Sequence, residues 1–205
     1  MSEFDNLFNT CGSSLLGYKK ALNLFNELQS VKHLEGNTAE IGVFQGSTSK
    51  LIHTVMNDRI HYAYDTFCGI QGSDPINDFH IDGEFSCSLD IVKQNINMEG
   101  VLYKVGFFPS TFDKDKEGNE IFVFIHSDTD TYIGTKTTLE CFAPLMIKGG
   151  KIMFDDYQWK NCPGVEKAVS EFLNKNNEFD FKFYDNSYRH PQDNTYINQC
   201  VLTKK

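Results

Sequence analysis

Hydrophobic positions along the chain recur in two rhythms, one of three to four residues and one of two, with turns between the blocks. Residues 13–30 carry Leu15, Tyr18, Leu22, Phe25 and Leu28 at helical spacing, with serines in place to cap the start, which predicts an amphipathic helix. Residues 38–43 form a short apolar run ending at a glycine turn, and residues 47–57 resume helical spacing through Leu51, Ile52, Val55 and Met56. Residues 60–65 and 101–105 read as strands and 86–97 as a helix. Between them, residues 66–85 are turn-rich and irregular, the length of a binding loop or lid. Residues 121–126 are the most hydrophobic strand segment, and 133–147 follow at helical period through Thr135, Thr138, Leu139, Phe142 and Met146. Gly149 and Gly150 are expected to close that helix. Residues 151–154 give a fifth strand, and Pro163 opens a helix with Val165, Ala168, Val169, Phe172 and Leu173 on one stripe. Phe179, Phe181 and Phe183 alternate as a strand whose stripe reads as core, and residues 195–203 supply a last strand with no helix before it.

Five strands joined by connections, then two joined directly, imply an α/β fold with a mostly parallel seven-stranded sheet and an antiparallel last strand. The 205 residues suit one domain, with an N-terminal helical segment (1–37) and an α/β core (38–205). Hydrophobic residues make up 40% and charged residues 23%, which places the chain among folding sequences. The formal charge of −9, with Arg59 and Arg189 as the two arginines, argues against a nucleic-acid partner. The longest apolar runs, such as residues 121–125, are far short of the roughly 20 residues of a membrane span. The acidic start, Met-Ser-Glu-Phe-Asp, lacks the pattern of a signal peptide, and a cytoplasmic location is expected. Six cysteines without a close CxxC pair then read as reduced thiols, mostly buried, which removes the best ligands for zinc.

In an open parallel sheet the ligand lies beyond the carboxyl ends of the strands, so those ends carry the candidate chemistry. The first is Glu40-Ile-Gly-Val-Phe-Gln-Gly46, spaced E-x-G-x-x-x-G, unlike the G-x-G-x-x-G of nicotinamide enzymes. The second ends in Asp65, roughly 20 positions beyond the first glycine turn, where such folds bind a ribose diol. The fourth and fifth end in His126-Ser-Asp128-Thr-Asp130 and Phe154-Asp155-Asp156. Carboxylates leaving neighbouring strands converge and repel, and a hard divalent cation such as Mg²⁺ resolves the conflict with oxygen ligands alone. Carboxylates gathered at two strand ends are therefore a candidate metal site. His126 reads as a hydrogen-bonded structural residue and residues 114–117 as a solvated loop, while His190 is expected to lie away from the site.

Taken together, Glu40 to Gly46, Asp65-Thr-Phe-Cys-Gly69, Gly106-Phe-Phe-Pro-Ser-Thr111, His126 to Tyr132, Gly149 to Tyr157 and Pro163 to Val169 occur in an order that resembles the macrocin O-methyltransferase family. The resemblance covers roughly residues 38–173 and implies a Rossmann-like class I methyltransferase fold with helices on both faces. It also implies S-adenosylmethionine and Mg²⁺ as cofactors and a sugar hydroxyl as methyl acceptor. Carried over by position, it implies that Glu40, Gly42, Gly46 and Thr48 border the methionine part of the cofactor. Asp65 would hold its ribose, Gly106 and Phe107 would lie near its adenine, and Asp128, Asp155 and Asp156 would be the metal ligands.

In-line methyl transfer needs the acceptor oxygen aligned and deprotonated, and a metal chelating a vicinal diol serves both needs. Asp128 is the candidate base. The expected partner is a small sugar or glycoside, with no nucleic acid or membrane, and self-association is left open. A catechol-like acceptor is the alternative, disfavoured because no lysine follows Asp128 in Thr-Asp-Thr-Tyr-Ile. A non-catalytic module of the same fold is a further alternative, against which the intact strand-end carboxylates argue.

Overall fold

The computed structural model describes residues 2–11, 16–114, 116–185 and 197–205. Its elements run α1 (Glu3–Thr10), α2 (Gly17–Val31), β1 (Asn37–Ile41), α3 (Ser47–Val55), β2 (His61–Asp65), α4 (Leu89–Ile96), β3 (Val101–Val105) and β4 (Phe122–Ser127). They continue with α5 (Tyr132–Phe142), β5 (Met146–Tyr157), α6 (Pro163–Leu173), β6 (Phe179–Tyr184) and β7 (Asn198–Lys204). The strands form one sheet in the order β3-β2-β1-β4-β5-β7-β6. The pairs from β3 to β5 are parallel, and β7 inserts antiparallel between β5 and β6. Strand order reverses between β1 and β4, which opens a crevice above their carboxyl ends.

Both faces of the sheet are covered. Leu24 and Leu28 of α2 and Ile52 and Val55 of α3 pack on Phe124, Met153 and Val201. Leu139 and Phe142 of α5 and Val165 and Val169 of α6 pack with Ile125, Ile152 and Phe154. Among the described residues no helix is long and apolar enough to cross a membrane.

Several expectations are corrected. The first helix is α1, closed at its start by a capping box in which Ser2 and Asp5 bond each other's backbone N–H. In α2 the expected stripe is buried at Phe25 and Leu28, but Tyr18 is 49% exposed and Lys20 and Glu27 are buried as well, while Leu15 lies outside the described residues. Gly149 and Gly150 do not end a helix but lie inside β5. The helix stops earlier, at a short 3-10 turn holding Pro144, which lacks the N–H a helix needs. The register of β4 against β5 then shifts between Phe122 and Phe124, and a Cβ on Gly150 would press on the Ile147 and Val123 carbonyls. Phe181 and Phe183 are 44% and 40% exposed because β6 is an edge strand; of that stripe only Phe179 reaches the core, against Phe172. Glu117 is fully buried rather than solvated, accepting from the Tyr64 hydroxyl at 2.8 Å and the Asp113 N–H at 2.9 Å. All six cysteines are free, with Cys162 and Cys200 buried and Cys68 exposed, so burial is less general than expected. His190 lies outside the described residues.

Candidate active site

The exits of β1 and β4 are pressed together: Asp128 N–H donates to the Ile41 carbonyl at 2.8 Å, and Gly42 N–H to the Tyr64 carbonyl at 3.0 Å. Gly42 has φ +86°, and a Cβ there would stand 1.9 Å from the Asp128 carbonyl oxygen, so this junction requires glycine. Beyond it the chain turns back over β2. Asp65 Oδ2 accepts from the Val43 and Phe44 N–H groups at 2.7 and 2.9 Å, and Oδ1 from the Phe67 N–H at 2.6 Å. One carboxylate thereby ties the exits of β1 and β2. Gly46, also left-handed, lets α3 begin against Val92 and Ile96 of α4.

These exits enclose a cavity of about 640 Å³, within the range of roughly 300–1,000 Å³ usual for ligand pockets. Gly42, Gly46, Thr48, Asp65, Gly106 and Phe107 all line it, as do Asp128, Asp155 and Asp156. Glu40 does not. It is buried behind the cavity, where one oxygen takes the Ser49 hydroxyl and the other meets His126 Nδ1 at 3.0 Å. Burial would push the His126 imidazole down, but the bond and charge of Glu40, with Asp128 and Asp155, hold it above the usual histidine value. His126 thus has the structural, hydrogen-bonded place expected of it.

At the far wall β5 carries two successive carboxylates into the same space. Side chains of a regular strand alternate faces, so two in a row need an irregularity. The pairing of β5 with β7 shifts register between Phe154 and Tyr157, and Asp156 adopts φ +55°. Asp130, likewise left-handed at φ +58°, brings a third carboxylate back to the wall beside Asp128. Asp128, Asp130 and Asp156 each place an oxygen within 4.8 Å of the others.

Asp155 turns elsewhere. Its Oδ2 pairs with Lys20 Nζ at 2.7 Å, and the same ammonium reaches Asp156 Oδ1 at 3.0 Å, while Asp155 Oδ1 is buried without a hydrogen-bond partner. The trio expected from sequence is therefore redistributed: the oxygens that converge are those of Asp128, Asp130 and Asp156, and a lysine from α2 occupies Asp155. Burial raises Asp128 and Asp130 well above the usual carboxylate range, and neighbouring aspartates add to it. Asp128 and Asp130 are half-buried at the cavity wall, and desolvation is the largest cause for both. Asp155 is raised by burial despite Lys20, whereas for Asp156 burial is outweighed by the Lys20 ammonium and the hydrogen bonds from Asp130 and Lys20 together, which lower it. Burial alone would lower Lys20, but Asp155, Asp156 and Asp128 hold it above lysine's usual value.

Residues 66–85 fold over this cavity as the lid-like reading anticipated. Gly69, Ile70, Gln71, His80, Glu84 and Phe85 line it. Buried Asp78 anchors the loop by accepting the Tyr132 N–H, at the start of α5, at 2.8 Å.

A family model for macrocin O-methyltransferase (TylF) matches residues 8–180. The chain belongs to the macrocin O-methyltransferase family. It is an O-methyltransferase with a Rossmann-like class I methyltransferase fold. A comparison with curated proteins returns no match. Among solved structures, the O-methyltransferase NovP superposes with a TM-score of 0.70 at 20% identity, over 94% of this chain and 81% of that one. The calicheamicin methyltransferase CalS11, described as a TDP-rhamnose 3'-O-methyltransferase, gives 0.67 at 15% identity over 96% and 90%. An O-methyltransferase from Bacillus cereus, solved with S-adenosylhomocysteine, gives 0.64 at 14% identity over 98% and 90%.

Lys20, Asp130 and His80 are titratable lining residues beyond the candidates that the sequence offers. Asp130 stood in the quoted strand-end motif and was separable from Asp128 only by the left-handed turn. Lys20 and His80 lie in a helix and a loop remote from the motifs, and no local pattern marks them.

Proposed function

We propose that this macrocin O-methyltransferase family member moves a methyl group from S-adenosylmethionine to a hydroxyl of a sugar or glycoside, with a hard divalent cation at the carboxylate cluster. The observation that carries the reading is one shared cavity, lined on one side by the Asp65 turn and on the other by Asp128, Asp130 and Asp156. Donors that are all oxygen suit Mg²⁺, and the orphaned, buried Asp155 Oδ1 adds negative charge that a cation would offset. The named substrate of CalS11, a TDP-linked sugar, supports the acceptor class.

When bound, the cofactor supplies an electrophilic methyl group and the cation supplies positive charge beside the acceptor oxygen. Everything else falls to the chain. Gly42, Gly46 and Thr48 border the methionine part, where the N-terminus of α3 favours a carboxylate. Asp65 holds the ribose hydroxyls, and Gly106 and Phe107 flank the adenine. Glu40 acts from behind by fixing Ser49 and His126. Asp128, Asp130 and Asp156 hold the cation, with Asp155 beside them under Lys20. Asp128, a carboxylate at the cavity wall, takes the proton from the acceptor hydroxyl. The loop over residues 66–85 excludes water from the transfer.

The test is methyl transfer from labelled S-adenosylmethionine to a panel of nucleotide sugars and glycosides, with and without EDTA. Turnover on a sugar is expected, lost on chelation and restored by Mg²⁺. Full turnover in excess EDTA would leave these aspartates as bases and caps. Catechols belong in the panel for a specific reason: Lys20 brings to the cluster an ammonium of the kind the sequence after Asp128 lacks.

A further inference from the structure

His80, in the loop over the cavity, has its two ring nitrogens in different situations. Nδ1 meets Glu84 Oε2 at 2.8 Å, and Nε2 is buried with no hydrogen-bond partner. The ring is held between Phe85 and Trp159, at centroid distances of 5.2 and 5.5 Å. Cys162, fully buried before α6, directs Sγ to Asp130 Oδ1 at 3.7 Å. One nitrogen of His80, one oxygen of Asp130 and the Cys162 sulfur all lie within 4.8 Å of one another.

We propose that His80, Asp130 and Cys162 form a mixed nitrogen, oxygen and sulfur site for a divalent ion of the zinc class, chemically distinct from the all-oxygen cluster with which it shares Asp130. Imidazole and thiolate favour Zn²⁺ or Co²⁺ over Mg²⁺, because the softer donors match the softer ions. The Glu84 carboxylate on Nδ1 is the support that metal-bound histidines generally have: it fixes the tautomer so that the other nitrogen presents its lone pair. Bonds of about 2.0–2.3 Å put tetrahedral donors roughly 3.3–3.8 Å apart, so side-chain shifts of about 1 Å close the set. Three protein ligands leave a fourth position open to water or an acceptor hydroxyl. On binding, the Cys162 S–H bond breaks, the sulfur lone pair goes to the ion and the proton leaves to solvent. The ion would also pin the loop to the strand ends, because His80 lies on the loop while Asp130 follows β4 and Cys162 follows β5. Chain spacing hid this set, since its members lie at 80, 130 and 162 rather than in a CxxC pair.

The proposal does not depend on the acceptor or on Mg²⁺, and Co²⁺ tests it by spectroscopy. Metal-stripped full-length protein titrated with Co²⁺ is expected to develop a thiolate-to-cobalt charge-transfer band in the near ultraviolet, abolished by excess Zn²⁺. Cys162→Ser should remove that band, and Glu84→Gln should weaken Co²⁺ binding about 10- to 100-fold. Calorimetric Mg²⁺ binding by Cys162→Ser should match wild type, which separates this site from the oxygen cluster. His80→Gln, outside the core, should remove the band's wild-type form as well and keeps the test standing if Cys162→Ser does not fold. Co²⁺ bound without a charge-transfer band, or with a band unchanged in both variants, would overturn the assignment.

Discussion

Lys20→Met is expected to destabilise the metal-free protein by about 3–5 kcal/mol, the usual cost of removing one partner from a buried ion pair. Lys20 and Asp155 are both almost wholly buried, and Asp156 shares the same ammonium. Without it, Asp155, already raised by burial, faces Asp156 with no positive charge between them. Adding Mg²⁺ should recover part of the loss in the variant, because a cation on the neighbouring oxygens offsets the same repulsion and binds only the folded state. Denaturant midpoints measured with and without Mg²⁺, at unchanged slope, give the comparison. Equal midpoints for variant and wild type would mean that Lys20 is not the counter-charge of this cluster.

Asp128→Asn should lower the single-turnover rate of methyl transfer by about 10²- to 10⁴-fold, the range for loss of a positioned general base. Folding should not suffer. Burial and two neighbouring carboxylates oppose the charge on Asp128, so a neutral amide of the same shape removes a repulsion. S-adenosylhomocysteine binding and the melting temperature are therefore expected to match or exceed wild type while the rate falls. A variant that turns over at the wild-type rate would transfer the base to Asp130, a cavity carboxylate that burial also raises and that no lysine among the described residues pairs.

The α/β fold was legible because its signals are local. Residues 101–105 carried a strand pattern whose bounds match β3, and Pro163 marked the first residue of α6. The faces of elements were harder. Alternation in Phe179, Phe181 and Phe183 located β6, but an edge strand is covered only where α6 reaches it. A glycine pair looked like a helix stop, yet Pro144 had already stopped the helix and the glycines served a close approach of β5 to β4.

At the site, the motif residues came together where the strand ends predicted, with Glu40 the exception. A carboxylate at a strand end can face either the cavity or the sheet's interior, and the partners that decide, Ser49 and His126, are set by tertiary packing. Asp155 and Asp156 are adjacent in sequence, and only the register shift against β7 explains why both reach the cavity and why Lys20 can separate their roles. Lys20 itself carried no signal, since a lysine in an amphipathic helix ordinarily lies on the solvated face.

Cofactor binding is the claim on which the rest stands, and calorimetry with S-adenosylhomocysteine tests it most directly. Wild-type protein is expected to bind saturably with a raised melting temperature, and Asp65→Ala to bind more weakly, because Asp65 both lines the cavity and fixes the turns of β1 and β2. Absence of binding and of any thermal shift at saturating ligand would contradict the account.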